Sequence, residues 1–523
     1  MRTATALRAY ALSVARLRRW LQDAISFEEA RARVAQRLRT RDESFLNLIR
    51  RCVFGNPRSP YLPLFRQAGC EHDDLVRGIR QHGLEEELRR LKDAGVWISL
   101  DEFKGRVPIV RGDVELRRSP SDFDNPAVSP VVAPQSGGSS GRSVRSSMDL
   151  DHLAVRASYE AFGRKLAGLY GVPLAVWFPQ LPAASGIVST LQHAKIGQPP
   201  VRWFDIECGS RSSPGWQGKL LTAGLVAASR ASSRPLASPE PGPVCTVLDW
   251  ILRTRDHAGR CGVHTYVSRA VRASQAARNR GSSLENVAFY VGAEPLTQAR
   301  CDEIRAAGAS VFPRYASTEM GTIAIGCVDS REAGDHHLCR DLVAVVQADL
   351  AATDQADILY MTALHEVAPK VMINVQLGDC ARVVRRRCGC LLGEMGLDLH
   401  LLQVRSIERV TCEGMTVAVS ELVRIVEEVL CRRYGGSALD YQWAEQEDRR
   451  GKARLLLRIG PVVGALDQDR IIQEVLSELA RRSRSGPIVA DTWREARTIQ
   501  VVRDRPRATL AGKQLPFLRT AEP

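Results

Sequence analysis

The chain has 523 residues, 44% hydrophobic and 25% charged, enough for two or more domains and a large core. No apolar run approaches the roughly 18 residues of a membrane span, and 13 irregularly spaced cysteines point to free thiols or a metal, not to a disulfide framework. The net charge of +14 is spread along the chain, is mostly arginine and comes with only 6% aromatics, so it suits anionic small ligands or an acidic carrier domain and argues against a nucleic-acid interface.

In chain order, Met1–Leu21 is arginine-rich and lacks acids until Asp23, which predicts a basic surface helix, with a transit peptide or a basic amphipathic arm as the alternatives. With no secretory apolar segment, the protein is read as cytoplasmic. Residues 1–115 are expected to be mainly helical, with apolar residues at helical spacing over Phe27–Leu38, Asp42–Phe54 and His82–Lys92. Ser59-Pro60-Tyr61 breaks them. Ser119–Ser147 is rich in Ser, Pro and Gly. At its centre, Ser136, Gly138, Ser139, Ser140 and Gly141 can curl backbone amides and hydroxyls inward while Arg142 adds charge. Such a loop cradles a triphosphate, although it lacks the GK[ST] ending of a Walker loop; a flexible linker is the other reading.

Residues 150–290 alternate strands and helices, as an α/β sheet requires. Trp177, Trp203 and Tyr266 fit plain core, with an acyl pocket as the alternative. Two apolar strands follow, Val287–Val291 and Ala309–Phe312, each ending in a polar turn. The first turn is Gly292-Ala293-Glu294-Pro295 and the second Arg314-Tyr315-Ala316-Ser317-Thr318-Glu319-Met320-Gly321. Ligands bind in an open α/β sheet at the carboxyl ends of its strands. Here a ring, hydroxyls and carboxylates suit a nucleotide with a divalent metal.

Beyond these, Asp357–Ile373 reads as strand, turn, strand, leading to a Gly turn with Asp379 and Arg382. A carboxylate there can take ribose hydroxyls, and the Arg can hold phosphate. Cys388 and Cys390, with Cys327 and His336-His337 upstream, offer three thiolates and one imidazole, a closed set for structural zinc; buried free cysteines are the alternative. Residues 404–523 read as a small α+β domain, with Lys513 after Gly512 in its tail.

Gly292-Ala293-Glu294-Pro295 followed by Tyr315-x-x-Thr318-Glu319 resembles the adenylate-forming superfamily of acyl-CoA ligases, adenylation domains and luciferases, most closely the phenylacetate–CoA ligase branch. The helical leader around Ser59-Pro60-Tyr61 is similar to that branch. Residues 137–143 are similar to its Ser-Gly-Thr-Thr-Gly-Lys-Pro loop, with Gly137, Arg142 and Ser143 as departures. Gly378-Asp379-x-x-Arg382 is similar to its Thr-Gly-Asp-x-x-Arg. Arg405 falls on the hinge motif Gly-Arg-x-Asp, where Val404 replaces the Gly and Ile407 stands at the acid, with Glu408 beside it. The tail resembles Arg-Thr-x-x-Gly-Lys, which puts Lys513 at the family's lysine. Relatives with Cys…Gly-Leu-His…Cys-Pro-Cys favour His337 over His336 in the zinc set.

The resemblance implies a large ATP- and acid-binding domain over 1–403, of α/β sheets with packed helices, and a small mobile domain over 404–523 carrying the catalytic lysine. It implies attack of a carboxylate on the α-phosphate of MgATP. Residues 138–142 would hold the β/γ-phosphates. Gly292, Ala293, Glu294 and Pro295 with Tyr315 would take the adenine, and Ser317 and Thr318 the phosphate. Glu319 would bind Mg2+, Asp379 the ribose, and Lys513 the developing charge. Implied cofactors are ATP, Mg2+, coenzyme A and a structural Zn2+ on Cys327, His337, Cys388 and Cys390. The acyl acceptor would be coenzyme A, or an amine or carrier-protein thiol. Neither membrane nor nucleic acid is expected. A nucleotide-binding scaffold without catalysis is the competing reading.

Overall fold

The computed structural model describes residues 15–128, 149–181, 183–206, 216–230, 232–330, 332–348, 357–413, 415–447, 453–482, 486–509 and 512–519. The expected phosphate loop (Ser136, Gly138, Ser139, Ser140, Gly141 and Arg142) lies outside the described residues. Among the described residues no helix is long and apolar enough to cross a membrane.

The leader is helical. Helix α1 (Phe27–Arg39) starts at Ser26, whose hydroxyl accepts from the Glu29 amide while the Glu29 carboxylate accepts from the Ser26 amide. Helix α2 (Arg41–Ile49) widens into a π-turn over Arg50–Phe54, so the helix expected over 42–54 changes pitch at Arg50. The helix expected over 82–92 is divided differently. Gly83, at φ +84°, separates α3 (His72–His82) from α4 (Leu84–Asp93), because only a residue without a side chain turns there without strain. Ser99 caps a short α5 (Leu100–Phe103).

The main body is a mixed α/β structure built on a twelve-stranded sheet. Six strands run parallel: β1 (Leu174–Trp177), β2 (Arg202–Asp205), β3 (Pro239–Pro241), β4 (Cys261–Tyr266), β5 (Val287–Gly292) and β6 (Ser310–Ser317). Six more pair antiparallel: β7 (Gly321–Gly326), β8 (His336–Leu338), β9 (Val343–Ala348), β10 (Asp357–Ala363), β11 (Val375–Arg385) and β12 (Leu399–Ser406). Their order is β3-β2-β1-β4-β5-β6-β7-β8-β12-β11-β10-β9. Helices α6 (Leu150–Leu166), α7 (Val267–Asn279) and α8 (Gln298–Arg305) pack on it. Strands β4 and β5 are buried along their whole length; β5 accordingly reads as an unbroken apolar run, whereas β4 buries His264 and Thr265. Trp177, Trp203 and Tyr266 sit in this core. The indole N–H of Trp177 donates to the Gly242 carbonyl and that of Trp203 to the Phe178 carbonyl, each at 2.9 Å.

Strand β6 belongs to both halves. Ser310–Pro313 pair in parallel with β5, and Arg314–Ser317 pair antiparallel with β7. Residues 314–317, expected in a turn, are therefore strand, and the turn is confined to Thr318–Met320. Similarly, Gly378 and Asp379 do not form a turn after a strand. They lie inside β11, where Gly378 has φ +89° and the register slips between Cys380 and Arg382.

A hairpin of β13 (Arg409–Cys412) and β14 (Met415–Ala418) opens the small body. It continues with α9 (Val419–Ile425), β15 (Tyr441–Glu447), β16 (Ala453–Ile459), α10 (Gln468–Arg482), α11 (Gly486–Glu495), β17 (Ile499–Arg503) and β18 (Phe517–Arg519). Its four-stranded sheet, in the order β17-β16-β15-β18, has a core of its own around Trp443, Leu457 and Trp493. The large sheet continues through Ser406, so a division at 403/404 would cut β12.

Gly378 matters because α5 lies against it. A Cβ there would fall 2.9 Å from Leu100 Cδ2, on a left-handed backbone. Gly378→Ala is expected to cost about 1–3 kcal/mol, seen as a lower thermal unfolding midpoint of the large body.

Candidate active site

A cavity of about 910 Å³ opens at the carboxyl ends of β5 and β6, where the sheet changes from parallel to antiparallel. Its wall contains Ala293, Glu294 and Pro295 from the turn after β5, and Arg314, Tyr315, Ser317, Thr318 and Glu319 from β6 and its turn. From across the sheet come Asp379 on β11 and Arg405 on β12. The small body closes it with Arg424, Glu427, Arg432 and Lys513. Residues from 293 to 513 thus meet around one space.

The polar groups in it differ in how they are held. The Tyr315 hydroxyl donates to Asp379 Oδ2. Burial pushes the Asp379 carboxyl up to about 6; the Tyr315 hydrogen bond opposes this, while Glu408 and Glu319 add to it. Ser317 Oγ accepts the Met320 amide at 3.1 Å and so fixes the turn. The Glu319 carboxylate makes no hydrogen bond or ion pair with another described residue and is open to a hard cation. Lys513 Nζ stands 5.8 Å from the centre of the Tyr266 ring; burial lowers its pKa, against the attraction of Glu294 and Glu319.

Lys513 is held there by its neighbour. The Gln514 amide donates to Glu294 Oε1 at 3.0 Å. The same carboxylate accepts the Ser268 amide at 2.7 Å and the Ser268 hydroxyl at 2.9 Å. The Gln514 side chain accepts from Arg272 and donates to the Leu439 carbonyl. On the small body, Glu427 lies 3.4 Å from Arg300, and Arg300 lies 3.9 Å from Glu294.

Behind the cavity, Cys327, His337, Cys388 and Cys390 bring their donor atoms within 4.8 Å of one another. His337 Nε2 is 3.1 Å from Cys390 Sγ and 3.5 Å from Cys388 Sγ, and the two sulfurs are 3.4 Å apart. A tetrahedral zinc with bonds of about 2.0–2.3 Å separates its ligand atoms by roughly 3.3–3.8 Å. His337 Nδ1 lies 2.6 Å from the Leu397 carbonyl, a contact that makes Nδ1 the donor and leaves Nε2 facing the thiols. Cys390 is pulled down by its contact with Cys327 and then by His337, while Cys327 is pushed up by the same contact. His336, next on the strand, faces the other way and lines the cavity.

Several expected residues are placed differently. Arg382 is outside the cavity, paired with Glu332 at 3.3 Å, because three residues of extended strand carry it about 10 Å from Asp379. The Glu294 carboxylate is occupied by Ser268 and Gln514, so its side chain holds the tail and is not free for adenine. Gly292 is behind the wall; a Cβ on it would fall 2.9 Å from Arg314 Cγ, and its absence lets β5 approach β6. At the hinge the acid in the cavity is Glu408, and Ile407 instead donates its amide to the Gly378 carbonyl at 2.8 Å. Sequence reasoning missed Lys104, Arg300, His336 and Gln514 as cavity or anchoring residues. Lys104 arrives through the packing of α5 on β11, which leaves no local signature; Gln514, beside Lys513, was the most accessible to it.

No family model matches the sequence, and no curated protein matches it. Among solved structures the chain is similar to a 2-hydroxyisobutyryl-CoA ligase in complex with 2-HIB-AMP and CoA, with 14% identity, 93% of this chain and 90% of that chain covered, and a TM-score of 0.48. It is also similar to the anthranilate CoA ligase AuaEII with anthranoyl-AMP (12% identity, 73% and 64% covered, TM-score 0.46). A third is the amide bond synthetase McbA from Marinactinospora thermotolerans (12% identity, 96% and 98% covered, TM-score 0.45). What the cavity can do is read from its own residues.

The tail's hold on Glu294 is testable directly. Glu294→Ala is expected to free the segment around Lys513 and speed tryptic cleavage there by about tenfold or more, since a buried charge-assisted hydrogen bond is lost; cleavage is followed by mass spectrometry.

Proposed function

We propose that the chain is an adenylate-forming ligase: it joins a carboxylic acid to the AMP part of ATP, releases pyrophosphate, and passes the acyl group to a thiol, with coenzyme A as the first choice. The observation that supports this best is the convergence of Lys513, Thr318, Glu319, Tyr315 and Asp379 on one cavity at the sheet's switch point. A cation beside the Thr318 hydroxyl and two carboxylates, one paired with a tyrosine, is a set for a nucleotide, a metal and a second anion.

In this reading an oxygen of the substrate carboxylate attacks the α-phosphorus, the bond to the bridging oxygen breaks, and pyrophosphate leaves. The protein's part is placement and charge neutralisation. Lys513 draws the carboxylate and α-phosphate together, Thr318 holds the α-phosphate, and Asp379 accepts the ribose hydroxyls with the oxygen that Tyr315 leaves free. Glu319 would hold Mg2+, which supplies neutralisation of the phosphate charge when bound. The thiol sulfur then attacks the acyl carbon, and AMP leaves. Arg405, Arg424 and Arg432 on the rim suit the phosphates of coenzyme A. Residues up to 406 form the nucleotide- and acid-binding body, and those from 408 on form the domain that moves between the two half-reactions. We assign Cys327, His337, Cys388 and Cys390 to a structural zinc that fixes β8 against the end of β11.

Acid-dependent ATP–pyrophosphate exchange tests the reading, and Lys513→Ala is expected to reduce it about 100-fold or more while ATP still binds. An unchanged rate would refute the assignment. ATP affinity is expected to weaken as the pH falls through about 6, where the Asp379 carboxyl takes up a proton, and Asp379→Asn should abolish that dependence. Metal analysis is expected to find one zinc per chain, lost with Cys390→Ala together with a lower unfolding temperature.

A further inference from the structure

One guanidinium stands between the two bodies and is fully paired with neither. Arg300, on α8 of the large body, is 1% exposed. Its Nε lies 3.4 Å from Glu427 Oε1, in the π-turn Val426–Leu430 of the small body. Its Nη1 lies 3.9 Å from Glu294 Oε2, on the large body. Neither nitrogen, nor Glu427 Oε1, has a hydrogen bond among the described residues. The side chains of Glu294 and Glu427 are 0% and 7% exposed, so these charges depend on one another and not on water.

Glu294 is divided between the bodies as well. Its Oε1 accepts the Gln514 amide at 3.0 Å beside the Ser268 hydroxyl at 2.9 Å, and its Oε2 accepts the Ser268 amide at 2.7 Å. Gln514 goes with the small body. Its side chain donates to the Leu439 carbonyl, the Trp443 amide donates to the Pro516 carbonyl at 2.9 Å, and Phe517 pairs with Trp443 across β18 and β15. Glu427 goes with it too, since its neighbours Val426 and Leu430 pack in the core of that body. A single separation of the bodies therefore takes Glu427 from Arg300 and the Gln514 amide from Glu294. The two residues left behind carry opposite charges and already stand 3.9 Å apart.

Resting on the adenylation reading and the domain movement it includes, we propose that Arg300 is a positioning residue that exchanges partners. With Lys513 in the cavity, Arg300 is shared with Glu427; when the small body withdraws, Arg300 closes on Glu294 in place of the Gln514 amide. Both arrangements then keep the carboxylate and the guanidinium compensated, which lowers the cost of withdrawal and makes the contact between the bodies bistable. The exchange gives the two ends of one ion pair opposite effects. Glu427 acts only in the closed arrangement, so its loss favours opening. Arg300 makes no hydrogen bond through Nε or Nη1 in the closed arrangement and gains its full pairing with Glu294 on opening, so its loss opposes opening.

The test is tryptic cleavage of the full chain after Lys513, without nucleotide or acid, followed by mass spectrometry. Lys513 stands in the cavity wall, so cleavage reads withdrawal of the small body. Glu427→Gln is expected to speed cleavage about tenfold, and Arg300→Gln to slow it about threefold or more. Arg300→Lys, which keeps the charge with a weaker grip on Glu294, is expected between Arg300→Gln and the native rate, and it decides the matter if Arg300→Gln does not fold. A pair that merely joined the bodies would speed cleavage when either end is lost. An unchanged or faster rate in the Arg300 variants, or an unchanged or slower rate in Glu427→Gln, therefore overturns the proposal. These rates involve neither ATP nor acid. Absence of acid-dependent ATP–pyrophosphate exchange in the native chain removes the adenylation reading by itself and leaves the cleavage rates to decide the exchange of partners.

Discussion

The arrangement of the cavity depends on one carboxylate. Glu294 is fully buried, and a buried carboxylate is stable only when its oxygens are engaged. Two of its donors come from Ser268 at the start of α7, which fixes the turn after β5 to the main body. The third is the Gln514 amide, from the far end of the chain. The bond that satisfies the carboxylate thereby sets the register of the tail, and Lys513, one residue earlier, reaches the cavity by necessity. Were the small body to move away, Glu294 and Arg300 would both lose partners, so the closed arrangement is held by electrostatics that a solvated contact would not supply.

Strand alternation does similar work on the other side. On β8, His337 turns to the cysteines and His336 to the cavity, because neighbouring side chains on a strand point to opposite faces. The strand is only three residues long and is pinned between β7 and β12. A cross-link through His337 would fix its partner position as well, coupling the order of the cysteine cluster to the shape of the cavity.

What could be read from the sequence followed from how local each feature is. The buried parallel strand β5 shows as an apolar run, and α1 shows through apolar residues at helical spacing over Phe27–Leu38. The turns after β5 and β6 were visible as motifs because both lie at strand ends. The four zinc-type donors could be grouped by chemistry although residues 327 and 390 are far apart. Other features come from packing between distant segments and left no local mark. Arg382 has the spacing of a turn motif but lies on a continuous strand. Lys104 reaches the cavity only because Leu100 packs on a glycine of β11. The buried row of His152, Arg156, Glu160 and Arg164 on α6 was invisible because its spacing is that of any helix face, and charge at that spacing ordinarily marks a solvated side.

That row also shows why the sheet changes direction at β6. Arg314 is the first residue after the parallel pairing with β5 ends, and its guanidinium meets Glu160 on α6. A strand fully covered on both faces, as β4 and β5 are, has no room for such a side chain unless the covering helix offers an acid. By supplying Glu160 at this level, α6 lets β6 carry a buried cation into the wall of the cavity. The antiparallel pairing with β7 then returns the chain within three residues, so that Thr318 and Glu319 project at the tip and Gly321 settles on Arg156 and His152. The switch in strand direction, the buried ion pair and the projecting turn are one device, and removing the Glu160 carboxylate would leave Arg314 uncompensated at the place where the cavity needs a rigid wall.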